Sequence, residues 1–448
     1  MADAEEGATI TSVELLTELL RCDTRNPPGD ENAAAEVLES HLSTAGLETE
    51  VFRSPEGRPN VVARLTGPRD KPALVLLSHM DVVPVEEDHW THDPFGGEID
   101  KGAIWGRGAL DMKGVAVMHI DAARSLIESG INVSREVIVC SVADEETGGA
   151  QGAQWLLEKH AGALGFGEGR PPPEVLGEGG FGLSGIVNRP LMPIIVGEKA
   201  AVRVEAVAKG DPGHGSLPPA KMATKNLASF IDKVAGHRPP RVHPVMREQF
   251  HALAQTETGA KGRVFQVLAS GGATAAARVL AKPLRSQGAI AALLSDTISP
   301  TRIDAGYAGN VVPAEATASL DCRILPDTDV DEFLAWLSKV GGPRDVNVTS
   351  SMRTGGQVSD KGALFDALAE ASGALAGDPV VTPSLSPGIT DVRFFRARGA
   401  RGYGWVPLVL DAELLGTIHG HDERVPIAAF EAAVEAMSGV VRNVAGRP

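Results

Sequence analysis

Three consecutive acidic residues, Asp144, Glu145 and Glu146, follow an apolar, β-branched run at 137–140. Such a run predicts a buried strand that delivers the acids to one edge of a sheet, the usual place for chemistry in α/β folds. Adjacent carboxylates repel each other unless a cation lies nearby. The segment is therefore either an exposed, solvated turn or part of a metal site, in which one acid binds the ion and the other transfers protons.

Two further segments favour the metal site. His79 and Asp81 follow the apolar run 73–77, and Asp111 lies in the glycine-containing segment 106–114. Because these segments share the strand-then-loop character of the first, we expect their polar side chains to point the same way, toward one edge of a sheet. A cation site is a simpler explanation of this pattern than three independent coincidences.

Alternating strands and helices are indicated for the first 160 residues. Strand patterns lie near 49–52, 60–65, 73–77, 99–105 and 137–140. Helical patterns lie at 11–22, 31–45, 113–129 and about 152–160. This alternation predicts an α/β sheet with helices on both faces.

The chain length of 448 residues exceeds what one hydrophobic core normally serves, so two domains are expected. After the Gly/Pro-rich segment 162–173 the pattern changes near 197–198, and from there the element order is β-α-β-β-α-β, the split βαβ arrangement. We predict a first domain formed by 1–198 and 354–448, with a second domain, 199–353, inserted into it. The stretch 236–295 is predicted to add helices to the insert, without an assigned function.

Composition limits the partners. Hydrophobic residues make up 43% and charged residues 22% of the chain, as in ordinary globular proteins, and no apolar run approaches transmembrane length. A formal charge of −16 disfavours nucleic acid and anionic membranes as partners. The three cysteines, Cys22, Cys140 and Cys322, are scattered and odd in number, which favours a reducing, cytoplasmic location.

Four motifs then occur in a fixed order: Ser78-His79-Met80-Asp81, Gly106-Arg107-Gly108-Ala109-Leu110-Asp111-Met112-Lys113-Gly114, Asp144-Glu145-Glu146-Thr147-Gly148 and Ile418-His419-Gly420-His421-Asp422-Glu423. Together they resemble the two-zinc amidohydrolases that include aminoacylase, carboxypeptidase G, carboxypeptidase S and succinyl-diaminopimelate desuccinylase. The resemblance covers nearly the whole chain. It implies a mixed-sheet zinc-hydrolase catalytic domain with an inserted α+β, ferredoxin-like domain that serves as lid and dimerisation domain.

The resemblance also implies two Zn²⁺ ions, although Co²⁺ or Mn²⁺ would suit the same ligands. The implied ligands are His79, Asp111, Glu146, Glu178 and His419. Asp111 would bridge the two ions, and the bond from Asp111 to Met112 would be cis. The carboxylate of Asp81 would hold the His79 imidazole in one tautomer. Glu145 would be the general base, which takes a proton from the water held between the ions and passes it to the leaving amine.

Two ligand positions have competitors. His421 stands close to His419, but the family's His precedes an acid such as Glu423 by a few residues, which favours His419. Glu174 competes with Glu178 but lacks the Gly pair that follows Glu178. For His89, His92, His119 and His160 we expect ordinary surface or loop positions.

The inserted domain carries a second set of residues that resemble family segments. His214 would hydrogen-bond the substrate carbonyl oxygen in the partner subunit of a homodimer, and Asn310 would assist it across the same dimer. Arg323 would bind a substrate carboxylate, because a guanidinium meets both oxygens at once. Gly388 and Thr390 lie in a segment that resembles the loop closing around that carboxylate.

The sequence therefore predicts a metal-dependent hydrolase of an amide bond next to a free carboxylate, acting on an N-acyl amino acid or short peptide through a metal-bridging hydroxide. The alternative within enzymes is a dipeptidase or exopeptidase on small peptides. A protein that binds metal and amino acids without catalysis is the alternative of another class, but it would need neither a base such as Glu145 nor an oxyanion donor such as His214. A dinucleotide-binding oxidoreductase is disfavoured, because the Gly-x-Gly-x-x-Gly spacing is absent after Gly106.

Overall fold

The computed structural model describes residues 10–279 and 288–446, which separate into two compact units. Unit 1 contains 10–196, 359–384 and 390–446, and unit 2 contains the described part of 197–358 together with 385–389. The division into a catalytic domain (1–198 and 354–448) and an inserted lid (199–353) stays a prediction. Residues 280–287, in the predicted helical insertion, lie outside the described residues.

The strands of the described residues share one numbering in chain order. They are β1 (Glu48–Arg53), β2 (Pro59–Leu65), β3 (Leu74–His79), β4 (Glu98–Asp100), β5 (Ala103–Trp105), β6 (Val137–Val142), β7 (Glu174–Leu183), β8 (Leu191–Glu198), β9 (Ala200–Lys209), β10 (Gly213–His214), β11 (Gly236–His237), β12 (Thr297–Ala305), β13 (Val311–Val312), β14 (Glu315–Ile324), β15 (Val346–Thr354), β16 (Val380–Ser386), β17 (Arg401–Leu410) and β18 (Arg424–Pro426).

The helices are identified here by their bounds. Those of unit 1 are Ser12–Leu20, Asn32–Thr44, Lys113–Glu128, Ala153–His160, Ala363–Gly373, Val392–Arg396, Ala412–Leu415 and Ile427–Ala445. Those of unit 2 are Ala223–Val234, Pro244–Thr256, Gly259–Ala269, Ala273–Val279, Gly288–Leu293 and Val330–Gly341. Short 3₁₀ turns cover Glu87–His89, Glu145–Thr147, Ala161–Leu164 and Gly342–Arg344. None of the described helices is both long and apolar enough to cross a membrane.

Unit 1 is built on a mixed sheet with the strand order β1-β2-β6-β3-β7-β17-β8-β16. The four strands β6, β3, β7 and β17 run parallel to one another, whereas β2 pairs antiparallel with β6 and β1 pairs antiparallel with β2. The parallel register places His79 opposite Val142 and Leu76 opposite Leu176. The carboxyl ends of β3, β6 and β7 therefore meet at one edge, which is where an open α/β sheet binds its ligands. The expected mixed-sheet α/β fold is confirmed.

The sequences of β3 and β6 are apolar without alternation because both faces of the sheet are covered, and every residue in these two strands is buried. One face packs against the helix Ala153–His160 and the helix Val392–Arg396. The helix Lys113–Glu128 packs against β3 and against the C-terminal helix Ile427–Ala445. These layers fix the strand ends that carry the acidic and histidine side chains.

Unit 2 contains a five-stranded antiparallel sheet with the order β11-β12-β14-β9-β15. The alternating burial of β9 and β14 gives this sheet one apolar face, which packs against the helices Ala223–Val234 and Val330–Gly341. With the extra helices between 244 and 293 and the two-residue strands β10, β11 and β13 set aside, the element order is β-α-β-β-α-β. The split βαβ prediction is therefore confirmed.

The sequence analysis missed several strands, among them β7 and β8, and misplaced one histidine. β7 and β8 were not foreseen, because the glycines at 177, 179 and 180 and the prolines nearby are typical of loops. His119 was expected at the surface or in a loop, but it lies fully buried in Lys113–Glu128, a helix packed against both Ser12–Leu20 and Ile427–Ala445. Neither ring nitrogen has a hydrogen-bond partner among the described residues, and burial lowers the pKa of His119 to about 3.

Candidate active site

Six ionisable side chains of unit 1 come together at the carboxyl ends of the parallel strands. They are His79 at the end of β3, Asp111 just before the helix Lys113–Glu128, Glu145 and Glu146 in the turn after β6, Glu178 within β7, and His419 in the loop before β18. The sequence analysis expected five of them as metal ligands and Glu145 as a base. The structure brings all six into one cluster.

His79 forms one side of the cluster. Its side chain is 2% exposed, and its Nε2 atom lies 3.3 Å from Asp111 Oδ1 and 3.6 Å from Glu178 Oε2. Burial opposes protonation of His79, but Asp111 and Glu178 outweigh it, so the pKa of the imidazole lies well above its ordinary value. Burial raises the pKa of Glu178 to about 7. The two acids thus favour the charged form of His79, whereas burial disfavours the charged form of Glu178.

His419 forms the other side and is half exposed. Its Nε2 atom lies 3.1 Å from Asp111 Oδ2 and 3.4 Å from Glu146 Oε2. Hydrogen bonds with Asp111 and Glu146 raise the pKa of His419 to about 10. The second oxygen of Glu146, Oε1, is buried without a hydrogen-bond partner among the described residues. A buried carboxylate oxygen that lacks a donor is an expected partner for a cation.

Asp111 stands between the two sides, with one oxygen directed at each histidine. Burial opposes its ionisation, but the two histidines hold the pKa of Asp111 below its ordinary value, so this carboxylate is charged. Each side then offers one imidazole nitrogen, one oxygen of Asp111 and one further carboxylate, Glu178 or Glu146. This donor set would suit two divalent cations, one on each side of Asp111.

Glu145 lies against the His79 side. A carboxylate oxygen of Glu145 is within 4.8 Å of the nearest ligand atoms of His79 and Glu178. Among the described residues no donor hydrogen-bonds this carboxylate; Arg393 Nη1 is 3.9 Å from its Oε1 atom. Burial, followed by the charge of Glu178, raises the pKa of Glu145 well above its ordinary value. A carboxyl group in this position can hold a proton beside the cluster or contribute an oxygen to a cation.

A buried ion pair joins the two loops that carry Asp111 and His419. Glu423 accepts hydrogen bonds at 2.8 Å and 3.0 Å from the backbone N–H groups of Leu110 and Asp111, and at 2.6 Å from Arg107 Nη1. Arg107 also donates to the carbonyl oxygen of Gly420 at 2.6 Å. Both ionic side chains are almost fully buried. The pair therefore fixes the position of Asp111 relative to the His419 loop.

The peptide bond from Asp111 to Met112 is cis, as expected.

Asp81 contacts the cluster in a way that differs from the expected one. His79 Nδ1 lies 2.8 Å from the backbone carbonyl oxygen of Asp81, whereas the Asp81 carboxylate is 3.6 Å from that nitrogen. The carboxylate instead accepts hydrogen bonds at 3.1 Å from the backbone N–H groups of both Glu145 and Glu146. The backbone carbonyl oxygen of Asp81, and not its carboxylate, is therefore within hydrogen-bonding distance of the imidazole.

The competing ligands lie outside the cluster. His421 stacks on the ring of His89 and lies 3.0 Å from Glu86 Oε2. Glu174 stands at the opposite end of β7 from the cluster and pairs with Arg135 at 2.8 Å. Of the two candidate histidines and the two candidate acids, only His419 and Glu178 meet the other predicted ligands.

The remaining predicted residues lie elsewhere in the chain. His214 is exposed on β10, which pairs with β13, and the N–H of Gly215 donates to the Asn310 carbonyl oxygen at 2.8 Å. Arg323, on β14, forms two hydrogen bonds with Asp321, at 2.7 Å and 3.1 Å. All of these belong to unit 2. Gly388 belongs to unit 2 and Thr390 to unit 1.

Four residues near the cluster had no role in the sequence analysis. Arg107 belongs to a motif but was given no role, and Asn26 was not singled out. Asp391 and Arg393 are both buried, and Arg393 donates to the carbonyl oxygen of Gly148 at 2.8 Å. Burial raises the pKa of Asp391 to about 7. For Arg107, Asp391 and Arg393 the one available signal was a charge inside or beside a recognised segment, which does not distinguish a buried side chain from a solvated one. For Asn26 there was no such signal.

Comparison with known proteins gives one consistent result. A family model described as peptidase family M20/M25/M40 matches residues 75–443. Aminoacylase-1 of Sus scrofa is 29% identical over 98% of this chain and 96% of its own length. The M20 family metallo-carboxypeptidase Sso-CP2 of Sulfolobus solfataricus has a TM-score of 0.73 at 20% identity, covering 97% of this chain and 99% of its own. The YXEP protein of Bacillus subtilis, described as a dinuclear metal-binding peptidase of the M20 family, has a TM-score of 0.60 at 16% identity, covering 97% of both chains.

Proposed function

The chain belongs to peptidase family M20/M25/M40 and is a metal-dependent amide hydrolase, and from this premise we propose that it cleaves N-acyl amino acids into a carboxylic acid and a free amino acid. The observation that carries the proposal is the cluster in which Asp111 faces both His79 and His419 while Glu145 lies beside it without a hydrogen-bond donor. The match to aminoacylase-1 along 98% of the chain supports the substrate class.

The proposed ligands are His79, Asp111 and Glu178 for one ion, and His419, Asp111 and Glu146 for the other. Zn²⁺ is proposed because it binds imidazole and carboxylate groups in open sites, and Co²⁺ or Mn²⁺ would suit the same donors. Such a pair of ions would supply the activation of water and the polarisation of the substrate carbonyl. The proposed ligands would hold the two ions in place. On the His79 side the imidazole is buried, so that side of the cluster is shielded from solvent.

Glu145 is the proposed general base. Its carboxylate would accept a proton from the attacking water and donate it to the leaving amine nitrogen, so that the amide C–N bond breaks without release of a free amide anion. Its position suits this exchange, because no donor among the described residues hydrogen-bonds its oxygens. The raised pKa, caused first by burial, would allow Glu145 to hold the proton between the two steps.

His214, Asn310, Arg323, Gly388 and Thr390 are proposed to bind substrate. His214 and Asn310 would act on the carbonyl oxygen in the partner subunit of a homodimer formed through unit 2. Arg323 would bind the free carboxylate, in competition with its present partner Asp321. A cytoplasmic location is also proposed, on the grounds that Cys22, Cys140 and Cys322 are all buried and unpaired.

The test compares Glu145→Gln with Glu178→Gln after both have been reconstituted with Zn²⁺. Turnover of N-acetyl amino acids and of dipeptides is followed by mass spectrometry, and bound metal by elemental analysis. We expect wild-type protein to release amino acids from the N-acetyl compounds, and Glu145→Gln to bind two ions with turnover reduced by a factor of at least about 100. Glu178→Gln should lose metal.

Three results would contradict the proposal. Wild-type turnover restricted to dipeptides would exclude the substrate class. Unchanged turnover by Glu145→Gln would exclude its role as base. Loss of metal by Glu145→Gln, as by Glu178→Gln, would make Glu145 a ligand.

A further inference from the structure

The turn that carries Glu145 and Glu146 is held by its backbone. Asp144, which opens the turn, has φ of 71°, a left-handed conformation that is uncommon for a residue with a side chain. The next two N–H groups, those of Glu145 and Glu146, donate to Asp81 Oδ1 and Oδ2 respectively, each at 3.1 Å. One carboxylate therefore sets the direction in which both the proposed base and a proposed ligand leave the backbone.

The Asp81 carboxylate is itself fixed by a residue from far upstream. Asn26 Nδ2 lies 2.9 Å from Asp81 Oδ2, 3.1 Å from Thr147 Oγ1 and 3.3 Å from Asp144 Oδ1. Asn26 is 4% exposed and Asp81 is fully buried. A single side-chain amide thus contacts Asp81 and both ends of the turn. Asn26 also lies outside residues 75–443, the part of the chain that the family model matches.

The charge around Asn26 explains why an amide suits this position. Asp81 and Asp144 both direct carboxylate oxygens at Nδ2, and the adjacent turn adds Glu145 and Glu146. Arg58 Nη1 lies 3.7 Å from Asp144 Oδ1, so Asp144 has a cationic neighbour. A neutral donor can hydrogen-bond two acids without adding a charge of its own, whereas an acceptor in the same place would repel them.

The backbone near Asn26 is anchored independently of its side chain. The N–H of Asn26 donates to the Val82 carbonyl oxygen at 2.8 Å, and the N–H of Val82 donates to the Thr24 carbonyl oxygen at 3.1 Å. The buried hydroxyl of Thr24 donates to the Met80 carbonyl oxygen at 2.7 Å. A change of the Asn26 side chain therefore leaves the segment attached to the chain around Asp81.

We propose that Asn26 is a positioning residue that acts through Asp81 and the 144–147 turn to hold Glu145 and Glu146 in their working orientation. The inference rests on the proposed function of Glu145 and Glu146. It adds a residue that is neither a proposed ligand nor the proposed base, yet sets the geometry of Glu145 and Glu146.

The test uses Asn26→Asp, which keeps the shape but replaces the donor with a charged acceptor, and Asn26→Ala, which removes the amide. The matched control is Thr24→Val, an equally buried change in the same segment that does not touch Asp81 or the turn. We expect kcat to fall by about 100-fold in Asn26→Asp, since small displacements of reacting groups cost about this much, with KM nearly unchanged. Asn26→Ala should show a smaller loss in the same direction.

Hydrogen exchange of the peptide covering 142–149, measured by mass spectrometry on the full-length protein, reports the two N–H groups directly. Exchange there should be faster in both Asn26 variants and unchanged in Thr24→Val. Wild-type kcat together with wild-type exchange in Asn26→Ala would overturn the proposal, as would an equal loss of kcat in Thr24→Val. Exchange needs no substrate, so wild-type protein that cleaves no N-acyl amino acid would defeat the proposed function while this measurement still decided the role of Asn26.

Discussion

Asp111 directs one carboxylate oxygen at His79 and the other at His419, so a single side chain links the two sides of the cluster. The two histidines differ in surroundings, since the side chain of His79 is 2% exposed and that of His419 is 51% exposed. A buried ligand holds an ion in a region of low dielectric, where its electrostatic interactions are stronger. We infer that the two ends of the cluster have different access to solvent.

Buried His119 gives a prediction about the pH dependence of stability. Its pKa is lowered by burial to about 3, below the value near 6.5 of the unfolded chain, so only the unfolded state binds the proton as the pH falls from 6.5. The free energy of unfolding therefore keeps its full value, as far as His119 is concerned, above about pH 6.5. It falls progressively as the pH is lowered from 6.5 toward 3. Between pH 7.5 and 5, the free energy of unfolding should fall by about 2 kcal/mol more in wild-type protein than in His119→Leu.

Urea unfolding in the presence of a chelator measures this difference without a contribution from bound metal. His160→Leu serves as the control, because His160 is partly exposed at the end of a helix. If the wild-type protein and His119→Leu lose stability in parallel over this pH range, His119 is not the group responsible.

Residues that a recognised segment carried are also the ones that the fold brings together. His79, Asp111, Glu146, Glu178 and His419 were named as ligands and all lie in the cluster. Asn26 and Glu423 were not given their supporting contacts, because hydrogen bonds over separations of 55 and 312 residues depend on how loops are folded together. The contact of the Asp81 carboxylate with two backbone N–H groups could not be foreseen for the same reason.

At the level of elements, parallel pairing explains why the cluster forms at one place. β3 lies between β6 and β7, and the registers bring the carboxyl ends of β3 and β6 level with the middle of β7. The apolar runs before His79 and Asp144 predicted two of these strands. β7 was missed because its glycines are typical of turns, yet Gly180 adopts φ of 75° inside the strand, which glycine tolerates best.

The Arg107–Glu423 pair connects the loops of Asp111 and His419 and gives a prediction at this scale. Glu423→Gln replaces a buried acceptor of one guanidinium and several N–H groups by an amide that presents its own N–H groups to them. The free energy of unfolding should fall by about 3 kcal/mol and metal affinity by about 10-fold or more. Calorimetric titration with Zn²⁺ and urea unfolding measure the two effects.

Glu174→Gln is the matched control, because Glu174 is also buried and paired with an arginine, Arg135. Unlike Glu423, it stands at the start of β7, away from the cluster. It should lose stability without losing metal affinity. Equal metal affinity in both variants would remove the proposed role of Glu423 in placing Asp111.

For the molecule as a whole, the proposed homodimer predicts complementation between inactive variants. If His214 serves the site of the partner subunit, His214→Ala and Glu145→Ala should each be inactive alone. After 1:1 mixing and subunit exchange, about a quarter of wild-type activity should return, because half of the dimers are hybrids and each hybrid has one intact site. Mass spectrometry of the intact dimers verifies the exchange.

A double variant that carries both changes, mixed with His214→Ala, provides the control, since no hybrid then contains an intact site. Confirmed hybrid dimers without recovered activity would contradict the sharing of His214 between subunits. A monomer with full activity would contradict the dimer requirement itself.

The position of β17 has a consequence for how the protein folds during its synthesis. This strand is made from residues 401–410, yet it takes its place in the sheet between β7 and β8, which are made more than two hundred residues earlier. Until β17 has been synthesised, the backbone N–H and C=O groups of β7 and β8 that pair with it have no partner. Such unpaired strand edges can pair with other chains. His419 emerges later still, so the second proposed ion has no complete site until translation has nearly finished.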